Sequence, residues 1–108
     1  MLALEEYEKE DGSSPFEERH RAIGDVDPRA SARIDIALSK MERGLFGDWK
    51  SVGRGPIREI RIDHGPGYRI YFVIERKTLV LLLLCGDKRT QSNDIEDAYE
   101  YWQDYKSP

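Results

Sequence analysis

With 108 residues, 35% charged and 39% hydrophobic, the chain can bury one modest core and not two, and its apolar residues are too periodic for a disordered segment. The longest apolar run, LVLLLLC at 79–85, has strand length and excludes a membrane-spanning helix, while a lone Cys85 excludes an internal disulfide and fits a reducing compartment. The net charge of −4 argues against a nucleic-acid partner only on average: residues 50–91 hold nine cations against four carboxylates, a net of +5, which leaves −9 for the rest.

A single domain over 1–108 is expected. The opening MLALEEYEKEDG lacks a basic segment followed by a long apolar one, so no secretory signal is read and cytoplasmic residence is the expectation. LALEEYE reads as a short strand closed by the turn EDGSS. In SPFEERHRAI, Ser14 can cap a helix, Pro15 takes its first position and Glu17 completes a capping box. A second helix follows from DPRASARIDIALSKMERG, with Asp27 as cap, Ile34, Ala37, Leu38 and Met41 as its apolar stripe, and Gly44 as the stop.

LFGDWKSVGRGP reads as a loop, after which the period changes from helical to two. In IREIRID, Ile60 and Ile62 share one face while Glu59, Arg61 and Asp63 share the other. HGPG reverses the chain, and in YRIYFVIERK the residues Tyr68, Ile70, Phe72 and Ile74 alternate with Arg69, Tyr71, Val73 and Glu75. A hairpin closed symmetrically about GPG would set Asp63 near Arg69 and Arg61 near Tyr71. ERKT turns the chain into LVLLLLC, a central strand covered on both faces. SNDIEDAYEYWQDYK is a final helix, with Asn93 and Glu96 as a cap pair and Ile95, Ala98, Tyr99 and Trp102 along one stripe. The order β-α-α-β-β-β-α predicts an α+β fold, with helices packed against one side of an antiparallel sheet.

His20 and His64 stand apart from each other and from Cys85, so no metal site is expected, and no nucleotide-cofactor loop of the GxGxxG or GxxxxGK[ST] kind occurs. What remains is a cationic set with aromatic company: Lys50, Arg54, Arg58, Arg61, Arg69, Lys88 and Arg89 with Trp49 and Tyr71. Guanidinium groups bind phosphate with paired donors and aromatic faces stack on unpaired bases, a mixture that suits single-stranded RNA. The same charges also read as solvated strand and loop residues partly paired with Glu59, Asp63 and Asp87.

The blocks SPFEE, GDWKSVGRGPIREIRI, GPGYRIYF and LLLLCGDKRTQSNDIEDA, in this order over nearly the whole chain, resemble the toxins of type II toxin-antitoxin modules in the RelE/ParE superfamily. The likeness is to its HigB-like branch of phage-derived addiction module killer proteins. The resemblance implies a RelE-like fold, an antiparallel sheet packed by two N-terminal helices with a C-terminal helix beside it. It also implies a cognate antitoxin of helix-turn-helix, HigA-like type. Relatives are either ribosome-dependent mRNA endonucleases or inhibitors of DNA gyrase, and a copy without toxicity can serve as an antitoxin-binding co-repressor. For the nuclease, the resemblance makes Arg61 and Arg69 the groups that stabilise phosphate charge and Lys88 a second cation or proton donor. Lys50, Arg58 and Arg89 become substrate-binding groups, with Lys50 a base if neighbouring cations lower its pKa. Tyr71 stacks on a base, aids proton transfer or packs in the sheet, and His64 beside the turn is a general base or a structural residue. The acidic C-terminal helix offers Tyr99, Tyr101 and Tyr105 without a motif to single one out.

Overall fold

The computed structural model describes residues 1–108. Its elements are β1 (Ala3–Glu6), α1 (Pro15–Val26), α2 (Pro28–Glu42), β2 (Trp49–Ser51), β3 (Arg58–Ile62), β4 (Tyr68–Glu75), β5 (Leu79–Asp87), a 3₁₀ turn at Lys88–Thr90 and α3 (Gln91–Lys106). The five strands form one mixed sheet in the order β1-β5-β4-β3-β2. The architecture is α+β and consistent with a RelE-like fold, with three refinements. β1 joins the edge of β5 in parallel, so the sheet is not wholly antiparallel. The glycine-rich loop contains the short strand β2, whose three residues are all exposed at the other edge. The helices also lie on both faces of the sheet and not on one.

That last arrangement follows from the strand alternation. Phe16, Ile34 and Met41 of α1 and α2 pack with Ile60, Ile70, Phe72, Val80, Leu82 and Cys85 on one face. Ala98 and Trp102 of α3 pack with Ile57, Tyr71, Val73, Leu81, Leu83 and Leu84 on the other. The neighbours Leu83 and Leu84 share a face because the β4–β5 register slips: Tyr71 faces Leu84 while Phe72 faces Leu82, so Leu83 is the extra residue of a bulge. The uniform run of leucines thereby fills two cores from one strand.

The helix starts follow local chemistry. The Ser14 hydroxyl accepts from the Glu17 amide at 3.0 Å, although the Glu17 carboxylate pairs with Arg21 and does not close the capping box. Asp27 accepts from the amides of Arg29 and Ala30 at 3.1 and 3.2 Å and starts α2. Gly44 takes the left-handed φ of 77° that ends it. α3 starts at Gln91, not at the Asn93 cap the sequence suggests: Asp87 accepts from the Arg89 amide, begins the 3₁₀ turn early and carries the chain straight into the helix. The β4–β5 turn places Arg76 and Lys77 at φ of 53° and 65°, the primed-turn geometry that matches strand twist.

Candidate functional site

The hairpin of β3 and β4 builds a polar concavity that gathers three of the sequence's candidate cations. Its register sets Ile62 opposite Tyr68, Arg61 opposite Arg69 and Glu59 opposite Tyr71. This is two residues away from closure about GPG, because residues 63–67 form a five-residue loop. The His64 amide donates to the Ile62 carbonyl at 3.1 Å, and the Gly67 amide to that of His64 at 2.9 Å. A two-residue shift preserves the faces but changes the partners, so Arg61 lies opposite Arg69 and not opposite Tyr71. Across β4, Tyr68 pairs with Asp87, and the Lys88 amide donates to the Gly67 carbonyl at 3.1 Å. Those contacts bring Lys88 to the hairpin turn. Arg61, Arg69 and Lys88 line one open cleft of about 370 Å³, with Asp48, Asp63 and Tyr68 on its walls.

The three cations are held differently. Arg69 is only 6% exposed, and its Nε donates to Glu59 Oε1 at 3.2 Å. Glu59 is fully buried, and its second oxygen accepts from Gln91 Nε2 of α3 at 3.0 Å. This buried pair anchors the cleft floor to the far helix. Arg61 is exposed and makes a single 3.3 Å contact with Asp48, a pair that solvent weakens. Lys88 is exposed and makes no ion pair. An incoming anion therefore meets one unpaired ammonium, one easily exchanged guanidinium and one fixed guanidinium.

The remaining sequence candidates lie elsewhere. Tyr71 is wholly buried between β4 and α3, its hydroxyl has no partner, and it cannot stack on a base. Burial, then the charges of Glu59 and Asp94, raise its pKa above the ordinary phenol range. Arg58 lies on the opposite sheet face to Arg61, over the Trp49 ring at 4.7 Å. Lys50 pairs with Glu59 across the β2–β3 ladder and does not line the cleft. Arg89 is tied to Asp87 at 2.7 Å, and Arg54 to Glu96 and to the Tyr99 ring at 3.9 Å. His64 Nε2 bonds Asp27 Oδ2 at 3.1 Å, so this turn histidine locks the loop to the start of α2. Cys85 is buried, and desolvation pushes its thiol up to about 12, far from a reactive thiolate.

Two features escape the strand and helix patterns. Tyr68, not Tyr71, is the tyrosine of the cleft; alternation puts it on the core face, but it sits next to the turn where that face opens. A second polar knot joins α1 to α3, where Arg19 donates to both oxygens of Asp94 at 3.1 and 3.3 Å and the Thr90 hydroxyl donates to Oδ2 at 2.6 Å. Gly86 lies beneath it, and a Cβ there would collide with the Asp94 carboxylate. Its visible signal is the glycine itself, which inside a strand marks a close approach. No three His, Cys, Asp or Glu side chains are grouped to hold a metal, and no helix is long and apolar enough to cross a membrane.

A family model described as phage-derived protein Gp49-like (DUF891) matches residues 21–100, a span that contains the whole cleft and every strand of the sheet except β1. An uncharacterized protein of Haemophilus influenzae is 49% identical over 70 residues, 65% of this chain and 70% of the relative.

Proposed function

The chain belongs to the phage-derived Gp49-like family, a toxin-like addiction-module family related to RelE/ParE-type toxins, and from that premise we propose that it is the toxin of a type II toxin-antitoxin module that cleaves mRNA on the ribosome. The observation that supports this reading is the convergence of Arg61, Arg69 and Lys88 on one open cleft of about 370 Å³. In the reaction, a ribose 2′-hydroxyl gives up its proton to water and attacks the adjacent phosphorus in line, a cyclic phosphate forms, and the 5′-oxygen leaves and takes up a proton. Negative charge gathers on the phosphoryl oxygens and then on the leaving oxygen, and positioned cations stabilise both. Arg61 exchanges Asp48 for a phosphoryl oxygen, Arg69 adds fixed positive charge from the floor, and Lys88 meets the leaving oxygen as charge or proton source. The proposal includes cytoplasmic residence, a HigA-like helix-turn-helix antitoxin, and the ribosome with its mRNA as partners.

Purified protein added to translating ribosomes is expected to give truncated mRNA, read by primer extension. Lys88→Ala and Arg61→Ala are the informative variants, because both side chains are exposed and the fold does not depend on them. Each should lower the cleavage rate, by up to about 100-fold, through the loss of one cation at the developing charge. Intact mRNA with wild-type protein, together with inhibited DNA supercoiling, would reject the nuclease and assign the gyrase reading.

A further inference from the structure

The cleft leaves Arg58 and Trp49 without a role. Both sit on the sheet face opposite Arg61, where the β2–β3 register sets Trp49 opposite Ile60 and Ser51 opposite Arg58. Trp49 and Arg58 are therefore diagonal neighbours across the ladder, near enough for the guanidinium to lie over the indole at 4.7 Å. Phe72 of β4 faces Arg58 on its other side, which makes Ile74 a second diagonal neighbour. Trp49, Ser51, Arg58 and Ile74, with Pro56, line an open pocket of about 280 Å³. The Arg58 guanidinium makes no hydrogen bond and no ion pair with the rest of the protein. The Tyr71 hydroxyl is the one buried side-chain polar atom that lacks a partner, so the free Arg58 donors are open to solvent. Trp49 stays 46% exposed, whereas Trp102 is 6% exposed in the core. We propose that this pocket is a base-reading subsite for an unpaired guanine in RNA, which packs against the Trp49 ring and offers O6 and N7 to the Arg58 guanidinium. The ligand class rests on the RNA reading above, but not on cleavage.

The chemistry of the walls chooses this occupant. A guanidinium held on an aromatic face is fixed in place without using its N–H groups. The adjacent donors it presents match the two acceptors of guanine, O6 and N7, whereas adenine offers an acceptor and a donor there. The other lining side chains are an indole, a proline, an isoleucine and one hydroxyl, with no second cation, a set that suits a neutral base better than a phosphate. The pocket also adjoins the cleft along the chain, since Asp48 lines the cleft and Trp49 lines the pocket. β2 is the edge of the sheet, so one RNA strand that passes round it meets both.

The test is an NMR titration of the isotope-labelled full chain with a short oligouridine, the same strand carrying one guanine, and the same strand carrying one adenine. The indole N–H signal of Trp49, assigned with Trp49→Phe, is the reporter, and that of buried Trp102 is the control. The guanine strand should shift the Trp49 signal and bind about tenfold more tightly than the adenine strand, the worth of one bidentate base contact. Arg58→Lys keeps the charge but loses the planar fork, and should bring the two strands level. Trp49→Ala should weaken the guanine strand about tenfold while leaving its salt dependence unchanged, since a base, unlike a phosphate, releases no counterion. Equal binding of the guanine and adenine strands, an unmoved Trp49 signal, or a guanine preference that survives Arg58→Lys would overturn the proposal. On translating ribosomes, cuts at a fixed offset from a guanine that Arg58→Lys disperses would place the base in the mRNA. A slower rate at unchanged positions would place it in ribosomal RNA. Cleavage without a guanine-dependent shift of Trp49 rejects the pocket and keeps the nuclease. A guanine-dependent shift without cleavage keeps the pocket and rejects the nuclease.

Discussion

Arg69 shows how one side chain serves the fold and the cleft together. It is the only charged partner of a carboxylate that is 0% exposed, so its removal strands a buried charge. Arg69→Ala is expected to destabilise the protein by about 3–5 kcal/mol, seen as a fall in the urea midpoint. That is a large part of the total stability of a domain this size, so loss of activity in this variant says little about catalysis. The double change Glu59→Leu with Arg69→Met removes both charges at similar volume, and should recover most of the midpoint while mRNA cleavage stays low. Tyr71 gives the opposite case. Its buried hydroxyl bonds to nothing, so Tyr71→Phe removes an unsatisfied group and should raise stability by about 1 kcal/mol with cleavage unchanged. A fall in cleavage without a fall in stability would return Tyr71 to the chemistry.

At the scale of elements, Asp27 joins three of them: it ends α1, caps α2 and holds the β3–β4 loop through His64. The Ala30 amide, and then His64, hold its carboxyl below the ordinary carboxylate range. A depressed folded-state pKa gives stability that is present above the unfolded value, about 3.9, and lost as pH falls through the folded one. Asp87 is depressed in the same direction, first by its hydrogen bond from Arg89, so acid loosens both attachments of the cleft together. Asp27→Asn keeps a capping oxygen but loses the charge, and should flatten the decline of the urea midpoint between about pH 5 and pH 2. An unchanged acid slope would place the acid sensitivity elsewhere. The elements that were legible in the sequence are those fixed locally: the Ser14 and Asp27 caps, the α2 stripe, and the two-residue alternation that put Arg61 and Arg69 on one face. What was not legible depends on distant partners. Three exposed residues carry too little pattern to announce β2, a run of identical leucines hides the bulge at Leu83, and nothing local tells β1 to enter in parallel. Lys88 reaches the cleft only through the Tyr68–Asp87 register, whereas the exclusion of Arg58 was legible, since the same two-residue alternation puts it on the face opposite Arg61.

Across the whole molecule, charge is sorted and not merely in excess. The net +5 of residues 50–91 lies on the sheet's hairpins, their turns and the 3₁₀ turn that follows, while the −9 of the remainder lies chiefly on β1, the loop after it and α3. An acidic body repels RNA over a Debye length of about 8 Å at physiological salt, and the proposed site predicts that binding comes from the few cations that line the cleft. Counterion release makes that count measurable. Three contacts on a single strand predict a slope of about −2 for log K against log salt, far shallower than the slope of a strongly basic binder. Lys88→Ala removes one contact and should reduce the slope by about 0.7, whereas Arg89→Ala, whose cation is already engaged by Asp87 outside the cleft, should leave it unchanged. Fluorescence titration of a labelled oligouridine at several salt concentrations separates the cases. A steep wild-type slope that both variants reduce equally would mean that RNA meets a diffuse basic surface, and the small cleft at the hairpin turn would lose its special standing.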